Sequence, residues 1–313
     1  MRRYIVKLYL RVLLYSRGLF SSKNRVFIVG LDKADLKKIL IYPCNKKIRI
    51  FNFFTNTVNV ISKAGFPTDS IRKEIEFRKE HKSQYIVPLI QYGSNWYSEE
   101  IIAGKPLARI QNPLEYRSVK EKALGALKTI TNPYKRMAYA AEYKNQILRE
   151  INNISGSILD KYTSVQETLG KIVKQLNEEL TGFDDTITLT MSHGDFHHGN
   201  IWMKNKGGDI LLIDWETSDI RTEWYDIFTL YGGLRELNGI KDLLQSLRMG
   251  KFEIAKFPDK ITMEKVVFLV LLEEVLFRIV DLRRTPIQIG IGDFEEYIKD
   301  LLRQITNYRK ESN

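Results

Sequence analysis

The feature that most constrains the fold is a change of character at Gly104-Lys105-Pro106. Before it, apolar residues come in short β-branched and aromatic runs, RVFIVG, KKILIYP, KIRIFNFF and VNVISK, with Gly, Asn and Pro at the breaks. Such runs read as successive strands of an antiparallel sheet. IVPLIQYGSNWYSEEII adds two more strands around the turn Tyr92-Gly93-Ser94-Asn95. After the boundary the pattern is helical over 114–130, 134–154 and 158–180, with breaks at Asn132-Pro133 and Ser155-Gly156. A sheet followed by segregated helices is the α+β arrangement. The chain divides as a basic amphipathic segment 1–24, a sheet-rich lobe 25–103 and a helical lobe 104–313.

The helical lobe is interrupted once, by a strand at 186–190, the loop HGDFHHGN at 193–200, and a hairpin 201–213 turning at Asn205-Lys206-Gly207-Gly208. Asn200 begins the outgoing strand and Asp214 ends the returning one, so the hairpin sets them side by side. Asp195, five residues before Asn200, faces the same cleft. One candidate base and two oxygen ligands are what phosphoryl transfer asks of a protein: a carboxylate near the attacking hydroxyl, and ligands for Mg²⁺.

In the sheet-rich lobe, FPTDSIRKEIEFRKEH becomes helical from about Ser70. At 100° per residue, Glu74 falls among Ile71, Ile75, Phe77, Arg78 and His81, in the middle of the apolar face. An inward carboxylate needs a partner. Lys63, closing the last strand before this helix, is the candidate. The pair can be structural, or it can hold a lysine against nucleotide phosphates.

The loop resembles that of the aminoglycoside phosphotransferase and choline kinase family, small-molecule kinases that share the protein kinase fold. His-Gly-Asp, four residues, then Asn stand at 193–200, and Ile-Asp-Trp-Glu at 213–216. The resemblance covers about residues 45–235. It implies a protein-kinase-like two-lobed α+β fold and transfer of the γ-phosphate of ATP to a hydroxyl of a small molecule. Asp195 is then the catalytic base, Asn200 and Asp214 hold Mg²⁺, and Lys63, paired with Glu74, holds phosphates. Glu100 and Ile102 belong to the linker that meets adenine, and Asp226 braces the loop. The turn Pro43-Cys44-Asn45-Lys46-Lys47 has no glycine, which departs from a backbone phosphate cradle.

Two rivals differ in chemistry. A His/Asp metal hydrolase would use His193, Asp195, His197 and His198, whose order does not match the His-x-His-x-Asp-His pattern. A nucleotide-binding pseudokinase would act through contacts alone; the complete set of Asp195, Asn200 and Asp214 argues against it.

Charge narrows the partners. The net charge is +11, and residues 1–50 alone hold 13 Lys and Arg against 2 Asp and Glu, so the rest of the chain is neutral. Nucleic acid is therefore not an expected partner. Arg3, Lys7 and Arg11 recur every four residues, which allows residues 1–20 to lie on an anionic membrane surface. A single cysteine, Cys44, excludes an intrachain disulfide and points to the cytoplasm, with possible attachment to the inner membrane surface. The acidic second half suits a cationic or polyhydroxylated acceptor, an amino sugar, aminoglycoside or choline-like amine. An envelope sugar becomes a further option if the N-terminus touches membrane. Glu216, Asp219, Glu223, Trp224, Glu273 and Glu274 are the candidate lining.

Overall fold

The computed structural model describes residues 39–44, 46–205, 207–236, 238–250 and 260–312. The expected strand at 25–30 and the basic segment 1–24 lie outside the described residues. Strands β1 (Ile39–Pro43), β2 (Lys47–Asn52), β3 (Thr57–Ser62), β4 (Leu89–Tyr92) and β5 (Trp96–Glu100) make one antiparallel sheet in the order β1-β2-β3-β5-β4. In β3, Val58 and Val60 turn inward and are buried. Helix α1 (Asp69–Glu80) packs Ile71 and Ile75 against them in one small core that includes Tyr97.

Strand β2 alternates in an unusual way. Ile48 and Ile50 occupy one face, and Lys47 and Arg49 the other. The register places Lys47 opposite Ser62 and Arg49 opposite Val60. Directly paired residues of antiparallel strands share a face, so both cations lie on the inward side of the sheet with Val58 and Val60.

The C-terminal part opens with β6 (Gly104–Pro106) and α2 (Pro113–Thr131). Proline occupies the first turn of α2, and the Asn112 side chain accepts from the N–H groups of Leu114 and Glu115. Next come β7 (Arg136–Tyr139), α3 (Ala140–Ile158), α4 (Thr163–Glu179), β8 (Thr186–Ser192), β9 (Ile201–Lys204), β10 (Ile210–Leu212) and β11 (Asp219–Thr222). Five-residue-scale punctuation then gives way to helices α5 (Tyr225–Tyr231), α6 (Gly239–Arg248), α7 (Lys260–Arg283) and α8 (Ile287–Ser312). Two differences from the sequence pattern stand out. The helix expected from 134 starts at Ala140, because 136–139 pair with β8 as an edge strand. Ser155-Gly156 does not break α3; the Ser155 hydroxyl is satisfied within the helix by Asn152 O at 3.1 Å.

Helix α7 is the hub of the largest core. Residues 266–272 are all buried, with α3, α4, α6 and α8 supplying the surrounding apolar stripes. Among the described residues no helix is long and apolar enough to cross a membrane. Between this core and the sheet lies a third cluster, in which Phe77 of α1 meets Phe196, Leu212 and Trp215. It is the joint on which the loop 193–200 is mounted.

Candidate active site

Strand β8 delivers the chain into the loop, and β11, antiparallel to it, fixes where it leaves: Ser192 pairs with Asp219. Gly194 follows with φ +81°, where a Cβ would sit 2.8 Å from Arg221 Nη1 and collide with Thr217 O. Only glycine suits that position. The loop's N–H groups are held from below. Asp226, buried at the start of α5, accepts from His193 N at 2.6 Å and Gly194 N at 3.0 Å. His193, fully buried, donates from Nε2 to Ile213 O at 3.0 Å and accepts at Nδ1 from Asp195 N at 3.3 Å. Burial lowers its pKa, so the ring is a neutral spacer between loop and hairpin.

Asp195 then projects from a turn closed by His197 N to Asp195 O at 2.9 Å. Burial pushes its carboxyl up, but the hydrogen bond from His197 and the charges of Arg235 and His197 outweigh it, and the net shift is downward. His197 Nε2 lies 3.5 Å from Asp195 Oδ2, and that hydrogen bond raises the imidazole's own pKa. Asn200 donates through Nδ2 to Asp195 O at 2.9 Å and Oδ2 at 3.1 Å. Its amide oxygen is thereby left for another partner, and that oxygen is the atom a hard cation takes.

The hairpin brings Asp214 alongside as the sequence implies: Ile213 N donates to Asn200 O at 3.1 Å. Asp214 has φ +71°, a left-handed conformation that costs an aspartate about 1 kcal/mol or more. The turn after it is pinned by Trp215, whose indole N–H donates to Leu212 O at 3.1 Å and whose ring stacks on Phe77 at 4.3 Å.

The cations facing this carboxylate come from β2. Lys47 Nζ ion-pairs with Asp214 Oδ1 and lies 2.8 Å from Glu216 Oε2; Arg49 Nη2 lies 3.3 Å from Asp214 Oδ2. Burial favours the charged form of neither Asp214 nor Lys47. The mutual attraction dominates, lowering the acid with help from Arg49 and raising the lysine with help from Glu216. Arg49 Nε is buried without a hydrogen-bond partner.

The expected Lys63–Glu74 pair is not what the structure builds. Glu74 is buried in the apolar face of α1, and it takes its hydrogen bond from Arg78, one helical turn on, at 3.2 Å. Arg78 also meets Glu99 at 2.7 Å and donates from Nε to Val87 O at 3.0 Å. Lys63 follows the end of β3, where its N–H bonds Lys46 O at 3.0 Å. Its strand position is one residue past Ser62, and Ser62 is the residue opposite Lys47. The lysine that reaches Asp214 has come from the neighbouring strand. Burial raises Glu74 to about 7, against the pull of Arg78 and Lys47, and its Oε2 has no hydrogen-bond partner.

In the linker, Glu100 turns its side chain to Asn56, 2.9 Å from Nδ2, and Ile101 N is taken by Asn56 O. The N–H of Ile102 has no hydrogen-bond partner among the described residues. Ile101 and Ile102 border a cavity of about 930 Å³ that Asp195, Asn200 and Asp214 do not line.

Arg235 went unnoticed in the sequence, and no pattern there would have found it. It donates to Gly194 O at 2.9 Å and to Tyr225 Oη at 2.8 Å, and ion-pairs with buried Glu274 at 3.2 Å. The histidines do not assemble a metal site. His198 is held by Tyr116 Oη at 2.7 Å and Glu236 at 2.9 Å, and no group of three His, Cys, Asp or Glu among the described residues is placed to hold an ion.

Residues 100–252, which span the loop, the hairpin and the Asp226 brace, match the phosphotransferase enzyme family. Over that stretch, a little under half of its length, the chain is similar to this phosphotransferase family. The choline kinase of Cryptosporidium parvum Iowa II is similar in fold, with a TM-score of 0.53 and 13% identity over 91% of this chain and 92% of that one. An ADP-bound aminoglycoside phosphotransferase, APH(2'')-Ib, has a TM-score of 0.50 and 15% identity over 88% and 98%. APH(2'')-IIa in complex with gentamicin gives 0.50 and 14% over 90% and 96%. No curated protein sequence matches the chain. The chain thus has the α+β fold of these kinases, an antiparallel five-stranded sheet followed by a helical part.

Proposed function

We propose that the chain is an ATP-dependent kinase of a small hydroxylated molecule. The observation that carries this reading is the convergence of Asp195, Asn200 and Asp214 on one cleft whose opposite wall presents Lys47 and Arg49. Three acidic or amide oxygens facing two cations form a triphosphate-and-metal environment; a purely structural network has no need to leave the Asn200 amide oxygen unused.

The roles follow from position. Asp195, held ionised, accepts the proton of the acceptor hydroxyl as its oxygen attacks the γ-phosphorus. Asn200 Oδ1 and Asp214 would hold Mg²⁺, which when bound would supply positive charge to offset that of the phosphates. Lys47 and Arg49 supply positive charge along β2, where the glycine-free hairpin offers no backbone cradle. The linker around Glu100 and Ile102 supplies the free N–H of Ile102 to a purine edge. His193, Asp226 and Arg235 fix the loop and touch no reactant.

Asp195→Asn tests the reading. Acceptor-dependent ADP release should fall by about 100-fold or more, while Mg-ATP affinity, read by calorimetry, stays within about threefold. A fully active Asp195→Asn enzyme would remove the mechanism.

A further inference from the structure

Two histidines of the loop make the same local bond. His193 Nδ1 accepts from Asp195 N at 3.3 Å, and His197 Nδ1 accepts from Gly199 N at 3.0 Å, in each case from the N–H two residues on. A ring nitrogen that accepts from a backbone N–H carries no proton, so the neutral ring holds its proton at Nε2. In His193 that N–H is directed to Ile213 O, at 3.0 Å. In His197 it lies 3.5 Å from Asp195 Oδ2. The place of the second ring depends on Gly199, where a Cβ would stand 2.6 Å from His197 Cε1 and 3.2 Å from Nδ1. Gly199 does not have a positive φ. What this position requires is room for the imidazole.

The two oxygens of the Asp195 carboxylate are thereby unequal. Oδ2 accepts from Asn200 Nδ2 at 3.1 Å and has the His197 Nε2–H beside it. Oδ1 has no hydrogen-bond partner among the described residues, and it is not buried. The last torsion of an aspartate is broad and nearly two-fold, so one donor leaves the carboxylate free to turn and exchange its oxygens. A second donor on the same oxygen opposes that turn. The oxygens also differ in basicity, because one whose lone pairs are shared with two donors takes a proton less readily than one with none. His197 is not itself the base: Nε2 holds a proton, and Nδ1 is occupied by Gly199 N–H.

We infer that His197 is a positioning residue that holds Asp195 by Oδ2 and so makes Oδ1 the oxygen that receives the acceptor's proton. This rests on the kinase reading above. In the step, the hydroxyl oxygen forms a bond to the γ-phosphorus of ATP and its proton passes to Asp195 Oδ1. The bond from that phosphorus to the β–γ bridging oxygen breaks, and the electron pair leaves with ADP. His197 keeps its own proton throughout. Its contribution is to the orientation of the base, which acts on the rate of the step and not on nucleotide binding.

The test compares full-length chains carrying His197→Leu, His197→Gln and Gly199→Ala. ADP release from Mg-ATP is followed with water as the acceptor and again with glucose, choline or kanamycin added. The His197 side chain is 38% exposed, so His197→Leu removes the donor without opening the core. It should lower kcat by about 10–100-fold and leave the KM for Mg-ATP within about threefold of wild type. Glutamine carries an N–H at the reach of Nε2, and His197→Gln should restore most of kcat. Gly199→Ala displaces the ring while keeping the histidine, and it should match His197→Leu. The tautomer is read without turnover, by nitrogen NMR of isotope-labelled histidine at about pH 9, where imidazoles are neutral. The ring signal lost in His197→Gln should be that of an Nε2–H imidazole. An Nδ1–H ring, a His197→Leu chain as active as wild type, a His197→Gln chain no better than His197→Leu, or a loss confined to KM overturns the inference while the kinase reading stands. A wild-type chain that releases no ADP from Mg-ATP overturns both.

Discussion

Replacing Lys47 by Met removes the cation that the structure sets against two carboxylates at once. At an effective dielectric of about 20, Coulomb's law gives about 6 kcal/mol for the 2.8 Å contact with Glu216. Arg49 remains on Asp214 at 3.3 Å, and dehydration of a buried ammonium offsets much of the attraction. Breaking such a buried pair typically costs about 3–5 kcal/mol, because the abandoned acids stay buried. Urea unfolding of the Lys47→Met and Lys63→Met chains should therefore separate them, with the larger loss at Lys47. If Lys47 faces phosphate as proposed, its loss should also lower kcat/KM by about 100-fold to 1,000-fold. Since Ser62 is directly opposite Lys47, the double change Lys47→Ser with Ser62→Lys returns an ammonium to the same face from β3, and it should recover much of the lost Mg-ATP affinity. A Lys47→Met chain with unchanged stability and nucleotide affinity, beside a Lys63→Met chain that has lost both, would refute this assignment.

Three further outcomes follow from the loop and its supports. Asp226→Ala leaves the buried N–H of His193 without its acceptor and that of Gly194 with only the Ser192 hydroxyl, which should cost about 1–3 kcal/mol in chemical unfolding; a loss below about 0.5 kcal/mol would contradict the brace. Gly194→Ala places a Cβ against Thr217 and Arg221 at φ +81°, and should lower both melting temperature and turnover, whereas a neutral effect would mean the loop is not held as described. Glu273 is raised to about 7 from 4.5. Its contribution to stability is thus fully present below pH 4.5 and lost as pH rises through 7. A Glu273→Gln chain should gain on wild type by up to about 3 kcal/mol across that window, and parallel pH–stability curves would count against it.

Much of this was legible in the residues. The His193–Asn200 spacing and the hairpin to Asp214 are local, so periodicity and turn chemistry locate them, and the inward position of Glu74 follows from helix geometry alone. Its partner has a local signal too: Arg78 falls in the same arc, four residues on, closer in sequence than a lysine preceding the helix. The alternation Lys47-Ile48-Arg49-Ile50 carried a signal that β2 has one cationic face. Which face meets the cleft depends on the pairing of β2 with β3, a non-local fact that no window of sequence contains. Arg235 and the internal partners of Glu273 and Glu274 depend on how α5 and α7 pack, and no composition or window of sequence contains that.

The flat stack of Phe77 on Trp215 has a mechanical consequence. Trp215 is rigidly tied to Leu212 by its indole N–H, and its ring also meets His193 at 4.4 Å. Helix α1, the hairpin end and the catalytic loop therefore share one aromatic hinge pin, and a tilt of α1 cannot be absorbed without moving Asp214 or His193. The exposed side of α1, around Arg72, Glu76 and Lys79, becomes a handle on Asp214 and on the His193 ring beneath the loop, so a binder raised against that surface should change turnover without competing with either substrate.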